Sequence, residues 1–156
     1  MFEGSTTVNR RNKMKLLTLV LMLTLGHIAT AVQVENCDEA YIGISSLVTP
    51  VTKNTRSFYN GQVNAYRVDH IEPACCSAGV AIVLPDVNSE VGDNKCVVVK
   101  NLPGVDVHGA SSSYDPNKGL LLTFPTSIYD PEKGHMPGGQ PLNLRINLKD
   151  SSVKAV

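Results

Sequence analysis

Residues 140–150 read QPLNLRINLKD, and this stretch decides the fold class. Its apolar positions, each followed by a polar residue, are Leu142, Leu144, Ile146 and Leu148. Because successive side chains of a β-strand point to opposite faces, the alternation predicts a strand with one face in a hydrophobic core and the other in water. No segment of residues 32–156 keeps a helical spacing of apolar residues over three turns, so strands are the expected elements throughout.

Further predicted strands are short segments rich in β-forming residues: 40–50, 61–72, 79–84, 95–100, 104–112 and 120–128. Residues 80–84 (VAIVL) and 96–99 (CVVV) are continuous apolar runs, which predict strands covered on both faces. Between them, residues 85–94 (PDVNSEVGDN) are rich in turn formers. About seven short strands predict an all-β fold, a small antiparallel β-sandwich with Greek-key or immunoglobulin-like connections. A small β-barrel is the alternative.

A six-residue motif occurs twice, as YDPNKG at 114–119 and as YDPEKG at 129–134. The Asp side chain can accept hydrogen bonds from the backbone just ahead, Pro fixes φ, and Gly tolerates the positive φ that closes a bulged hairpin turn. The motif therefore predicts two tight turns. The lysine in each copy disfavours a calcium site, since a cation site excludes an ammonium group. The alternative is a recognition edge built from two similar loops.

The first 31 residues are typical of a signal peptide. Four basic residues precede the apolar run LLTLVLMLTL at 16–25, and Ala29-Thr30-Ala31 offers a cleavage site. A membrane anchor is the alternative, but a bilayer span needs about 20 apolar residues. Met14 begins a shorter, more conventional signal, MKLLTLVLMLTLGHIATA, so both Met1 and Met14 are candidate translation starts. Cleavage would leave residues 32–156 as a single domain without a membrane span, in the periplasm or outside the cell.

Charge and composition exclude some classes of ligand. The chain has 14 basic and 14 acidic residues, of which four basic and one acidic lie in residues 1–31, so residues 32–156 carry 10 against 13. A slightly acidic domain without a basic cluster does not favour nucleic acid. The chain also lacks Trp, which disfavours a base-stacking surface.

Four cysteines, Cys37, Cys75, Cys76 and Cys96, lie beyond the signal peptide. An even number in an exported chain predicts two disulfides. Because neighbours in an extended segment point to opposite faces, we expect Cys37 to bond one of the adjacent pair and Cys96 the other. The alternative is a vicinal Cys75–Cys76 bond with a redox role. The Cys-x-x-Cys spacing of zinc and thioredoxin-like sites is absent.

The histidines of this part of the chain are His70, His108 and His135. Asp106 and His108, two residues apart, would share one face of a strand. Met136, beside His135, adds a thioether suited to copper(I). A periplasmic copper or zinc protein with His108, His135 and Met136 as ligands is therefore the second functional hypothesis. It depends on whether the three histidines approach one another.

Enzyme motifs are absent: the sequence has no Gly-x-Ser-x-Gly, no His-Glu-x-x-His and no glycine-rich phosphate loop. Asp106, His108 and a serine at 111–113 could nominally form a hydrolytic set, so a hydrolase is the third hypothesis. The leading hypothesis is an exported, disulfide-stabilised, non-enzymatic binding module without a cofactor. We expect it to bind a protein or a cell-envelope component through loops at one end, at 115–119 or 135–139.

Overall fold

The structure, a computed structural model, describes residues 32–71 and 75–156. The predicted signal peptide lies outside the described residues. Residues Val32–Val156 form one compact unit. Within the two described ranges, no helix has the length and apolar character needed to cross a bilayer.

Eleven β-strands and two short 3-10 helices make up the regular structure of those ranges. The strands are β1 (Val34–Asn36), β2 (Thr55–Phe58), β3 (Val63–Asp69), β4 (Ala78–Pro85), β5 (Asn94–Leu102), β6 (Ser111–Asp115), β7 (Gly119–Phe124), β8 (Ser127–Asp130), β9 (Gly134–Pro137), β10 (Leu142–Asn147) and β11 (Ser152–Ala155). The 3-10 helices, Ile44–Ser46 and Val51–Lys53, lie between β1 and β2. The strands outnumber the seven predicted because β1, β2, β9 and β11 have only three or four residues, too few to show a period.

The strands form three separate antiparallel sheets, ordered β1-β5-β4-β3-β2, β11-β10-β7-β6 and β8-β9. The two larger sheets share one core, with Val80 and Val99 from one sheet and Leu122 and Leu144 from the other. Each such side chain contributes about 1.5–3 kcal/mol by its burial. The predicted all-β sandwich is therefore confirmed, and the alternation of residues 140–150 is the alternation of burial along β10.

The five-stranded sheet is covered on its second face as well. Val98 of β5 and Ala81 of β4 point away from the common core and pack with Val68 and the buried Cys37. Ile42 and Leu47, from the segment between β1 and β2, complete this smaller cluster. The prediction that β4 and β5 are covered on both faces is confirmed.

Residues 40–50 were expected to form a strand, and this expectation is wrong. The segment contains the 3-10 helix Ile44–Ser46 and bends, with a single bridge from Leu47 to Val68. Its apolar residues pack on a sheet face and do not pair at a sheet edge. Their spacing therefore resembles that of a strand although they form no continuous ladder of hydrogen bonds.

The expected strands at 104–112 and 120–128 also differ from the structure. Residues 104–110 form an irregular loop whose Val105 and Val107 close one end of the core, and strand β6 begins only at Ser111. The segment 120–128 is divided between β7 and β8 at Pro125, which has no N–H to donate to a ladder.

The repeated motif forms two turns of the predicted kind. Asp115 Oδ1 accepts hydrogen bonds from the N–H groups of Asn117 at 2.8 Å and Lys118 at 3.2 Å, and Gly119 closes the β6–β7 turn with φ +87°. In the β8–β9 turn, Asp130 Oδ1 accepts from the two equivalent N–H groups at 2.8 and 3.0 Å, and Gly134 has φ +74°. The prediction of a tight turn is confirmed for both copies of the motif.

The disulfide pairing differs from the expected one. Cys37 bonds Cys96, and Cys75 bonds its neighbour Cys76. Strand β1 pairs with β5 and delivers Cys37 to Cys96, with the two Cα atoms 5.4 Å apart. Cys96 stands beside Val83 in β4, whereas Cys76 lies two residues before Ala78, the first residue of that strand, which is itself about 17 Å from Val83 along the strand. The adjacent cysteines cannot reach Cys96 and bond each other.

Candidate functional site

The loops of the sandwich gather at two ends. The β2–β3 and β6–β7 turns share one end, where the rings of Tyr59 and Tyr114 lie 5.6 Å apart. The other end carries the β8–β9 hairpin and the loop between β5 and β6, and it contains a cavity of about 580 Å³. This volume lies within the range of small-molecule sites, about 300–1,000 Å³.

This cavity, called here the Arg67 cavity, combines apolar walls with separated polar groups. The apolar wall residues are Val68, Ala78, Pro103, Val105, Val107, Pro125 and Pro137. The polar and charged lining residues are Lys53, Asn54, Arg67, Asp69, Ser77, Asp106, Thr126, Ser127 and His135. Polar and charged residues are thus in the majority in the lining, and the apolar residues lie among them. Sites that orient a small ligand combine apolar surface with precisely placed polar groups.

Arg67 lies on β3, on the side that faces the other sheet. Val63 and Ala65, at the preceding alternate positions of the strand, are fully buried in the common core. The backbone of Arg67 is held on both sides, because its N–H donates to the carbonyl of Asn54 at 2.8 Å and its own carbonyl accepts from Val48 at 3.1 Å. The position of Arg67 is therefore fixed by the sheet and by the segment before β2.

The guanidinium group of Arg67 has a hydrogen-bond donor that is unpaired within the described ranges. Its Nε atom is buried and has no hydrogen-bond partner among the described residues. The ion pair found in the same ranges joins Lys100 to Glu35 at 2.9 Å and does not involve Arg67. A buried donor without a partner costs free energy, and the cost is larger for a charged group. An external acceptor in the cavity would remove this cost.

Ser127 provides a second buried group without a partner. Its Oγ has no hydrogen-bond partner in the part of the chain that the structure describes. Its N–H donates to the carbonyl of Gly104 at 3.1 Å, which holds β8 against the β5–β6 loop. A Cβ at Gly104 would collide with this hydroxyl, and one at Gly139 would lie 2.6 Å from the Ser127 carbonyl oxygen. The two glycines allow Ser127 its position at the cavity.

The acidic lining residues are already engaged in local turns. Asp69 Oδ1 accepts from the N–H of Ile71 at 2.9 Å, and Asp106 Oδ1 accepts from the N–H of Gly109 at 2.8 Å. Both residues are exposed, so water can solvate their remaining oxygen atoms. The polar groups that lack partners are thus the hydrogen-bond donors of the site.

The three histidines are placed differently from one another. His135, on β9, lines the cavity, and its ring lies 5.3 Å from that of Tyr129. His108 lies in the β5–β6 loop, where its carbonyl accepts a hydrogen bond from Arg56 Nη1. His70 Nε2 accepts from the N–H of Asn101 at 3.3 Å. Neither His70 nor His108 lines the Arg67 cavity.

Ligands for a metal are not brought together by these placements. Met136 follows His135 on strand β9, and adjacent strand residues point to opposite faces. Across residues 32–71 and 75–156, no group of three or more His, Cys, Asp or Glu side chains is placed to hold a metal ion. The copper or zinc site with His108, His135 and Met136 stays a prediction.

The residues of the predicted hydrolytic set do not all line the cavity. Asp106 does, whereas His108 and the serines at 111–113 do not, and the serine and the histidine that line it with Asp106 are Ser127 and His135. Ser127 Oγ has no hydrogen-bond partner in the part of the chain that the structure describes, so it is not paired with His135. The hydrolase stays a prediction.

Sequence reasoning found part of this site. Two recognition loops were expected, 115–119 or 135–139, and the second contributes His135 and Pro137 to the lining. Arg67 and Ser127 were missed. A signal for Arg67 existed, because an arginine at the alternate position after Val63 and Ala65 interrupts the apolar face of a strand.

Replacing Arg67 with methionine should raise the free energy of unfolding by about 1 kcal/mol, because it removes a partly buried charge that has no partner. Urea unfolding followed by circular dichroism measures the change. The matched control is Arg145→Met, since Arg145 faces outward on β10 and should shift stability by less than about 0.5 kcal/mol. A loss of stability in Arg67→Met would contradict this account.

Comparisons of the chain with protein-family models, with curated proteins and with solved structures gave no match.

Proposed function

We propose that this protein is an exported, disulfide-stabilised, non-enzymatic binding module whose ligand enters the Arg67 cavity. The observation that carries the proposal is that two residues lining one cavity, Arg67 and Ser127, each have a buried polar atom without a described partner, Nε and Oγ respectively. Polar atoms of this kind are paired in most proteins, so each exception calls for an explanation, and a bound ligand that supplies the partner is one. The ligand is part of a protein or of a cell-envelope component.

The scaffold supports this function. The cavity is lined by loops and strand ends, and a rigid sandwich commonly presents its binding residues there. The Cys37–Cys96 bond fixes the segment between β1 and β2 to β5, and a hydrogen bond from the N–H of Arg67 to the carbonyl of Asn54 ties this segment to β3. A preorganised wall reduces the entropy lost on binding.

Replacing Gly104 with alanine should weaken ligand binding about tenfold, because the new methyl group displaces Ser127 Oγ. The test screens the purified protein against a library of neutral, cationic and anionic small molecules and peptides, using amide chemical shifts. We expect shifts at Val105, Thr126 and Ser127 for any compound that binds.

The control variant is Gly43→Ala, since Gly43 has an extended backbone, has nothing near its added Cβ and does not line the cavity. It should bind as the unmodified protein does. A screen in which compounds perturb only the Tyr59–Tyr114 end, or perturb no residue of the cavity wall, would rule out the proposed function.

A further inference from the structure

We infer that the Arg67 cavity recognises a carboxylate group attached to an apolar body. This inference rests on the proposed function and names the chemistry of its ligand. It follows from three features of the cavity: the unpaired donors, the distribution of charge, and the size and apolar character of the walls.

The donors select an anionic acceptor. Arg67 offers a planar guanidinium group with a buried Nε, and such a group binds a carboxylate through two parallel hydrogen bonds. Ser127 Oγ is a second donor on the same wall. Lys53, at the end of the 3-10 helix Val51–Lys53, adds a cation to the rim. A neutral acceptor would leave the guanidinium charge uncompensated.

The acidic lining residues offset part of the attraction for an anion. Asp69 and Asp106 also face the cavity and repel a bound anion. Repulsion from these carboxylates and attraction to Arg67 and Lys53 both grow with the charge of the ligand, so the balance of two anions and two cations gives a phosphate near charge −2 no clear advantage over a carboxylate at −1. A single negative charge close to Arg67 is therefore sufficient.

The size of the cavity requires more than an isolated carboxylate. Its volume of about 580 Å³ exceeds that of one small functional group many times over. Pro125 and Pro137, which are both exposed, supply accessible apolar surface in the lining. Burial of an aliphatic group against them would add about 0.8 kcal/mol for each CH₂ removed from water. A short aliphatic acid or the C-terminal residue of a peptide satisfies both requirements.

The test compares each acid with its neutral amide. The probes are N-acetyl-leucine and N-acetyl-leucinamide, which have the same body and differ in the charged group. We expect the acid to bind about 30-fold more tightly than the amide, as the loss of a charge-assisted pair implies. In Arg67→Met the two probes should bind equally. Arg67→Lys, which keeps the charge without the planar fork, should retain part of the preference and provides a second variant.

The source of the carboxylate is resolved by a tetrapeptide ending in leucine, free or amidated. Tighter binding of the free tetrapeptide than of N-acetyl-leucine identifies a peptide C-terminus, and weaker or equal binding identifies a small free acid. Equal binding of acid and amide inside the cavity, or an undiminished preference in Arg67→Met, overturns this inference but leaves the proposed function standing. Failure of both acids to bind overturns it as well. The library screen separately decides the proposed function.

Discussion

Removing the Cys37–Cys96 bond should lower the free energy of unfolding by about 4 kcal/mol, whereas removing the Cys75–Cys76 bond should lower it by less than about 1 kcal/mol. A disulfide stabilises a fold mainly by restricting the unfolded chain, and the effect grows with the length of chain it closes. The first bond joins residues 59 positions apart, and the second joins neighbours. The second therefore leaves the unfolded ensemble almost unrestricted.

The measurement is urea unfolding of the Cys37→Ala/Cys96→Ala and Cys75→Ala/Cys76→Ala double variants. Cys37 is only 3% exposed, so its truncation also leaves a small cavity. Reduction of the Cys75→Ala/Cys76→Ala variant provides the control, because it breaks the long-range bond and deletes no further atoms. Similar losses in the two double variants would show that chain restriction does not explain the stability.

Replacing Gly119 with alanine should cost about 3 kcal/mol, and the same change at Gly134 about 1 kcal/mol. Both glycines have positive φ, +87° and +74°, which costs an L-residue roughly 1–2 kcal/mol. At Gly119 the added methyl group would also collide with the carbonyl oxygen of Ile146 in β10. Nothing lies within 4 Å of the added atom at Gly134. Because β10 is a central strand of its sheet, its backbone can move away from the added methyl group only if its hydrogen bonds to the neighbouring strands are disturbed.

This pair of variants is internally matched, because the two glycines occupy the same position of the same motif. Thermal and urea unfolding of Gly119→Ala and Gly134→Ala, followed by circular dichroism, measure the difference directly. Equal losses would mean that the contact with β10 relaxes without cost and that φ alone determines both values.

Local chemistry made much of the fold predictable. The alternation in residues 140–150 identified β10, and the apolar runs identified β4 and β5 with both faces covered. The repeated motif predicted both turns, since the Asp, Pro and Gly of each copy act within six residues. The wrong predictions lie where the local sequence pattern does not match the place that the segment takes in the tertiary structure. Residues 40–50 resemble a strand in composition but lie across a sheet face.

The candidate site was less predictable. The segment 135–139 was one of two expected recognition loops, and His135 was expected as a metal ligand; in the structure part of this segment is strand β9, and His135 and Pro137 line the cavity. Arg67 was not identified although it interrupts the apolar face of its strand, and Ser127 was not identified because nothing in the sequence marks it. They matter because one buried polar atom of each lacks a hydrogen-bond partner among the described residues, and this depends on all the residues that surround them in the fold.

By itself the sequence determined strand type, turn position and the presence of an apolar face, because these depend on the period of side chains and on residues within one turn. Only the tertiary structure decided which cysteines bond and which polar atoms line a common cavity. Both depend on the order of strands in the sheets, which brings Cys37 beside Cys96 and Ser127 beside Gly104. That order follows from the packing of the whole core and cannot be obtained from the sum of local preferences.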